Sequence, residues 1–342
     1  MAVLVSFLVP TRDAASTIDA AIDSALAQQA GDVAFELEVV VVDDGSHDDT
    51  RQRMRSARDR DRRVVLIEQQ RLGLVAALNN GLEHCRGDFV ARLDADDIAM
   101  PQRIAEQLAL LARNPDIGVV DGQVRFVRDG GPVPEGMQRY ATWVNAVETA
   151  DDFRRLQYYE AAVVHPAATI RSELFARVGG YRDVGPEDFE LWLRMHRQGV
   201  RFSKVPEVLV EMRDHDARLT RTSERYARSA FRDVAMSYLR ERCLERSRIL
   251  LWGAGSTARP WLRFLRRIGR TPIAIIDVDP AKIGSLRGGD VPVVLPEALE
   301  SVDADLMLVA LRVRGADDLI RQDVRRRRPD WHEGEHYWFV VT

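Results

Sequence analysis

The stretch "LEVVVVDDGS", residues 37–46, constrains this chain more than any other. Val39 to Val42 put apolar side chains on both faces of one short run, and a strand of that kind needs cover on both sides, as in a parallel sheet. The run then stops in two carboxylates and a glycine turn. A second run, "GDFVARLDADD" at 87–97, repeats the pattern, and amphipathic segments lie between such runs. "STIDAAIDSALAQQ" sets Ile18, Ile22, Ala25 and Leu26 at helical spacing, with Ser16 and Asp19 as a capping-box pair. "VLVSFLV" precedes it as a strand; "RRVVLIEQ" and the helix "LVAALNNGLEHC" follow "LEVVVVDDGS". Strand–helix–strand repetition predicts an α/β fold with a largely parallel sheet.

Carboxylates therefore close two strands, Asp43 and Asp44 in one and Asp94 and Asp96 in the other. In open α/β sheets ligands bind in the crevice beyond the carboxyl ends of strands, so these acids mark a candidate site. If the second strand runs on through the acids, period-two alternation turns Asp94 and Asp96 to one side and Asp97 away, as a turn acid.

At 342 residues the chain is long enough for two domains. With 46% hydrophobic and 30% charged residues it reads as a folded protein rather than a disordered one. A net charge of −4 and a pI near 6.0 argue against a dedicated nucleic-acid binder. Cys85 and Cys243 stand far apart in no metal-like spacing, which predicts a reducing, cytoplasmic setting. No run approaches a membrane span, and "MAVLVSFLVP" lacks a basic leader and is closed by Pro10, so it reads as a strand rather than a signal peptide.

Five segments occur in a telling order: "SFLVPTRDAASTIDAAIDSAL", "LEVVVVDDGSHDDT", "RLGLVAALNNGL", "GDFVARLDADDIAMPQRI" and "VGGYRDVGPEDFELWLRM". Together they resemble the family 2 glycosyltransferases of GT-A fold, from about residue 3 to 220. The resemblance implies a mixed-sheet nucleotide-diphospho-sugar transferase domain at 1–222. It implies a nucleotide-diphosphate sugar donor, of UDP type by weak preference, and a saccharide or lipid-linked saccharide as acceptor. Asp96 would ligate Mg²⁺ or Mn²⁺, a hard cation suited to a departing diphosphate. Asp94 would contact the ribose or help hold the metal. Pro10, Thr11 and Asp43 match the nucleotide-binding positions, while Asp44, Gly45 and Ser46 read equally as a tight turn. Leu78 departs from relatives that carry arginine there; it continues the apolar stripe of Leu74 and Leu82 and reads as core.

The family's acidic pair falls on Glu187 and Asp188, with Asp188 at the position of the catalytic base. Pro186, Glu187 and Asp188 also suit the acid-rich first turn of a helix. Trp192, one turn on, either stacks on an acceptor sugar or packs in the core. His165, in "VVHPAATIR", matches an acceptor-side histidine or is simply packed. His215 offers a third metal ligand or phosphate contact and Arg213 or Arg218 a partner for the diphosphate, unless "EMRDHDARLTR" is a solvated loop. The resemblance places the work in cell-surface polysaccharide or glycoconjugate assembly, at most in peripheral contact with the inner face of a membrane.

Residues 223–247 read as a charged amphipathic linking helix. From 248 to 342 a second α/β unit follows, in which Gly253, Gly255 and Ala258 form a G-x-G-x-x-A turn and Asp277 closes the next strand. This resembles Rossmann-like NAD(P)- or CoA-binding domains. A bound nucleotide, a regulatory role and pure architecture all stay open. "RRRRP" at 325–329 offers charge to anionic headgroups or forms a solvated helix end. A second reading of the whole chain is an NAD(P)-dependent sugar-nucleotide oxidoreductase or a nucleotide-sensing module.

Overall fold

A computed structural model describes residues 2–313 and 315–341. The chain forms two compact units, one reaching to Phe153 and resuming over Ala162–Thr222, the other made of Arg154–Ala161 and the chain from Ser223 onward.

The first unit is built on one mixed sheet. Its strands are β1 (Val3–Thr11), β2 (Phe35–Asp44), β3 (Val64–Gln69), β4 (Phe89–Arg92), β5 (Ile98–Ala99), β6 (Ile117–Val127), β7 (Thr169–Arg171) and β8 (Arg201–Arg213), in the order β3-β2-β1-β4-β7-β6-β8-β5. β3, β2, β1 and β4 run parallel, and β7 is antiparallel to both β4 and β6. The parallel half follows from the sequence. From Leu37 onward every residue of β2 is buried, so the strand is covered on both faces. Helices α1 (Ile18–Leu26), α2 (Thr50–Arg60) and α3 (Leu74–His84) provide the crossovers. α1 buries Ile18, Ala21, Ile22 and Ala25, and α3 buries Ala77, Leu78 and Gly81, so Leu78 is core as its stripe indicates. α4 (Arg103–Arg113), α5 (Glu135–Asn145), α6 (Ala150–Leu156), α7 (Ser172–Val178), α8 (Glu187–Arg197) and α9 (Leu219–Thr222) complete the helices up to Thr222.

Two local expectations change. α1 starts at Ile18 with Thr17 as its N-cap and no side-chain capping bond, and Asp19 pairs instead with Arg53 at 2.6 Å. No capping box forms. β4 ends at Arg92, and Asp94 to Asp97 make a turn closed by the Asp97 N–H donating to the Asp94 carbonyl at 3.2 Å. Strand alternation therefore does not govern these acids.

Register sets what meets at the sheet's carboxyl edge. Thr11 on β1 pairs with Asp43 on β2, and Leu8 pairs with Arg92 on β4. The candidate residues of three strands thus share one edge.

The second unit carries a six-stranded sheet of β9 (Ile249–Trp252), β10 (Ala274–Ile276), β11 (Leu286–Arg287), β12 (Val291–Val294), β13 (Leu306–Val309) and β14 (Tyr337–Phe339), ordered β11-β12-β10-β9-β13-β14. All pairs are parallel except β11 with β12. Its helices are α10 (Arg228–Glu245), α11 (Arg259–Arg267) and α12 (Ala316–Arg327). The segment Arg154–Ala161 joins this unit: Tyr158 accepts the Val341 N–H at 2.9 Å and its ring meets Trp338 edge-on.

Candidate active site

At the β1–β2 edge the loops brace each other. Asp13, held at a left-handed φ of 49°, donates its N–H to Ser46 Oγ at 2.9 Å and accepts the His47 N–H at 2.8 Å. Asp43 is fully buried; its carboxylate accepts the Ser46 N–H at 3.2 Å and Arg51 Nε at 2.6 Å. Asp44 accepts the N–H groups of Leu72 and Gly73, at 2.7 and 3.0 Å. Gly45 has φ +74°, and a Cβ there would lie 2.8 Å from the Arg71 nitrogen, so only glycine fits. Asp44, Gly45 and Ser46 thus do turn work. Beside them Thr11 Oγ1 is buried with no partner, a hydroxyl available to a ligand.

The turn after β4 gathers three acids. One carboxylate oxygen from each of Asp94, Asp96 and Asp97 lies within 4.8 Å of the other two. This corrects the expectation that Asp97 turns away, because the turn has replaced the strand. Asp97 is buried, accepts the Arg213 N–H at 3.0 Å through Oδ1, and leaves Oδ2 without a partner. His215 Nε2 lies 2.9 Å from Asp96 Oδ2. Burial, then the Asp94 carboxylate, raises Asp96 above the ordinary carboxyl range, against the pull of His215 and Arg218. Burial with Asp94 and Asp96 pushes Asp97 well above it. Crowded carboxylates with an unpartnered buried oxygen and an imidazole beside them form a donor set suited to a hard divalent cation.

Asp188 stands in the first turn of α8, where Pro186 is the N-cap. It is half-buried and accepts its neighbour Phe189's N–H at 2.7 Å. Burial and then Glu187 raise its carboxyl to about 7, the range of a working general base. The acids thus form the first turn of a helix, and that place does not prevent Asp188 from taking up a proton. For Trp192 and His165 the packed alternative is the one the structure fits. Trp192 is 3% exposed and meets His165 and Phe202 edge-on, so it presents no ring to a sugar. His165 is buried, within 2.8 Å of the Tyr181 hydroxyl, and burial followed by the Arg92 charge holds its imidazole well below the usual range. Both are packing groups behind the site.

Arg213 ion-pairs with Asp129, and Arg218 lies 5.4 Å from the Phe126 ring centre. Arg128 and Arg221 both grip the buried Asp214, which fixes the base of the segment carrying His215. Sequence reasoning passed over Arg92, Asp13 and Tyr181. A lone arginine within the apolar run "FVARL" was the available signal for the first.

In the second unit Gly253 takes φ +108°, with Ala310 O only 3.0 Å from where a Cβ would stand. Asp277 accepts the Ala254 N–H at 2.7 Å and pairs with Lys282 at 3.2 Å. Its carboxylate is thus engaged by its own chain. Within "RRRRP", Arg326 pairs with Asp323, Arg327 with Asp323 and Glu297, and Arg328 with Asp330, so much of that charge is answered locally. Among the described residues no helix is long and apolar enough to cross a membrane.

Comparison with known proteins identifies the family of the first unit. The model of "Glycosyl transferase family 2" matches residues 6–179, and the chain belongs to that family. The amylovoran biosynthesis glycosyltransferase AmsE of Erwinia amylovora is 29% identical over 151 residues, 44% of this chain and 54% of that protein. The UDP-Gal:alpha-D-GlcNAc-diphosphoundecaprenol beta-1,3-galactosyltransferase of Escherichia coli is 29% identical over 181 residues, 52% of this chain and 62% of that protein. The chain thus spans little more than half the length of these curated relatives. Among solved structures, S. aureus TarS 1–349 in complex with UDP superposes with a TM-score of 0.51 at 20% identity, covering 71% of this chain and 66% of that one. That likeness concerns the fold.

Proposed function

We propose that this chain is an inverting, metal-dependent glycosyltransferase that moves a sugar from a nucleoside-diphosphate donor to an acceptor hydroxyl. The observation that carries the reading is the pairing of a three-carboxylate turn at the sheet edge with a half-buried carboxyl held near neutrality at the start of α8. Asp188 takes the proton of the acceptor hydroxyl while that oxygen bonds to the anomeric carbon. The bond to the diphosphate breaks on the opposite face, and its electron pair leaves with the diphosphate. Asp96 and His215, with Asp94 and Asp97 beside them, would hold a Mg²⁺ or Mn²⁺ ion, which supplies positive charge to the leaving diphosphate. Pro10, Thr11 and Asp43 line the nucleotide side, and the buried Glu187 serves the acceptor side through Asp188, whose proton affinity it raises.

A UDP-type donor, and an acceptor built into surface polysaccharide or carried on a lipid diphosphate, are supported by the two relatives' names. The unpaired thiols of Cys85 and Cys243 support a cytoplasmic setting. We read the second unit as Rossmann-like from its parallel sheet and glycine turn. With Asp277 engaged, we assign it an architectural role rather than NAD(P) or CoA binding.

The test is release of UDP from a panel of UDP-sugars with Mn²⁺, followed for the parent, Asp96→Asn and Asp188→Asn. Each variant is expected to lose about 100-fold or more in rate. Variants that match the parent would sink the proposal.

A further inference from the structure

Three arginines are buried in or around this site, and the chain treats them differently. Arg103 donates to Gln107 Oε1 and to the carbonyls of Pro166, Arg92 and Ala168. Arg194 donates to Glu190 and to the carbonyls of Val178, Gly179 and Gly180. Arg92, 2% exposed, makes one side-chain bond, from Nη2 to Asp94 Oδ1 at 2.6 Å, while Nε and Nη1 are buried without partners. A guanidinium cannot shed its charge, and leaving buried donors unmade is costly, so such an arginine needs a reason.

Its surroundings supply one. The Arg92 N–H donates to the Ala168 carbonyl at 2.9 Å, which ties β4 to the turn carrying His165. His165 reaches the Tyr181 hydroxyl and the edge of Trp192 on α8. The positive charge of Arg92 bears on Asp94, Tyr181, Glu187 and Asp188. No other arginine or lysine is linked in this way to both the donor turn and the acids of α8 among the interactions described above.

We propose that Arg92 is a positioning residue of the transfer site, a buried cation that fixes the Asp94 carboxylate relative to the Glu187–Asp188 pair and so keeps the leaving-group side and the base in register. The inference rests on the sugar-transfer reading of this site. Asp94 then offers the metal and nucleotide chiefly its Oδ2, because Oδ1 is held by Arg92. The free donors Nε and Nη1 lie on the cation that the α8 acids feel.

Arg92→Met and Arg92→Lys separate this role from packing. UDP release is followed with Mn²⁺ and whichever of UDP-Gal, UDP-Glc or UDP-GlcNAc the parent turns over, with melting temperature alongside. Arg92→Met is expected to lose roughly 100-fold in kcat, the scale of a misplaced reacting group. Asp188 is faced by Glu187, which raises its proton affinity, by Arg92 and the Phe189 N–H, which lower it, and by the Tyr181 phenol, itself raised by Asp188 among other groups. Removing the cation therefore moves the acid limb of kcat/KM upward, by about half a pH unit or more. Arg92→Lys keeps the charge without the fork, so the limb returns to the parent's position while the rate recovers only in part. If Arg92→Met does not fold, Arg92→Lys decides alone, since a reduced rate with an unmoved limb is required of it. A folded Arg92→Met with the parent's rate or limb, or an Arg92→Lys with a displaced limb or full rate, overturns the role of Arg92 and leaves the transfer reading standing. A parent that releases UDP from no donor sinks the transfer reading and this inference with it.

Discussion

Asp188 shows how one side chain ties activity to stability. Its carboxyl sits near 7 in the folded chain against an ordinary value of 3.8, mainly through burial and then Glu187. Between those pH values the folded state keeps a proton that the unfolded chain has released. The stability linked to this group is fully present below pH 3.8 and is lost as pH rises through about 7. The same deprotonation creates the base, so turnover should climb over the range in which stability falls. Asp188→Asn removes the burden. We expect it to melt higher than the parent at pH 8, by roughly 2–4 °C for a partly screened effect on the order of 1 kcal/mol, and to match it near pH 3.5. Melting curves at the two pH values check this, and equal melting at pH 8 would contradict it. The candidacy of Asp188 was legible in the acidic pair of "GPEDFELW". Its proton affinity was not, because it depends on burial and charges brought together only by folding.

At the scale of elements, the close seat of α3 on the sheet is the most exacting contact. A Cβ on Gly81 would stand 2.2 Å from Leu8 Cδ1 and 2.9 Å from Val42 Cγ2, and both side chains are fully buried. Gly81→Ala is expected to cost about 1–3 kcal/mol by overpacking, measured by urea denaturation. Gly255→Ala is the control, since open space surrounds that position and its backbone needs no special freedom. It should change stability by less than about 0.5 kcal/mol. A costly Gly255→Ala, or a silent Gly81→Ala, would refute this account of the packing.

Strands β1, β2 and β4 and their acidic ends were readable because an apolar run covered on both faces has few structural alternatives. The fate of Asp97 was not. Whether a strand stops at Arg92 or two residues later depends on hydrogen bonds to β1 and β7, and that choice decides which carboxylates meet. Trp192 and His165 were ambiguous for a related reason. Spacing puts them near the site, but only tertiary contacts show them facing each other in the core.

At the scale of the molecule, chain order and spatial grouping part company at Arg154–Ala161. Motif order assigns these residues to the stretch ending at 222, yet they pack on the sheet of the second unit. Tyr158 is 4% exposed against Trp338, Tyr159 meets Phe339 edge-on at 6.4 Å, and Arg155 and Arg321 both pair with the buried Glu333. Glu333, Trp338 and Phe339 lie far away along the chain from the residues they meet, so no local pattern announces the pairing. A protein ending at Thr222 keeps every residue of the family match but strips the two tyrosines of their cover, leaving aromatic surface that a stable monomer rarely exposes. We expect residues 1–222 to melt below the full chain and to bind a hydrophobic dye. Changing Tyr158 and Tyr159 together to serine within 1–222 should remove most of the dye signal, because the signal comes from those rings rather than from a loosened first core. A truncated protein that melts with the full chain and binds no dye would show that Arg154–Ala161 needs nothing beyond residue 222.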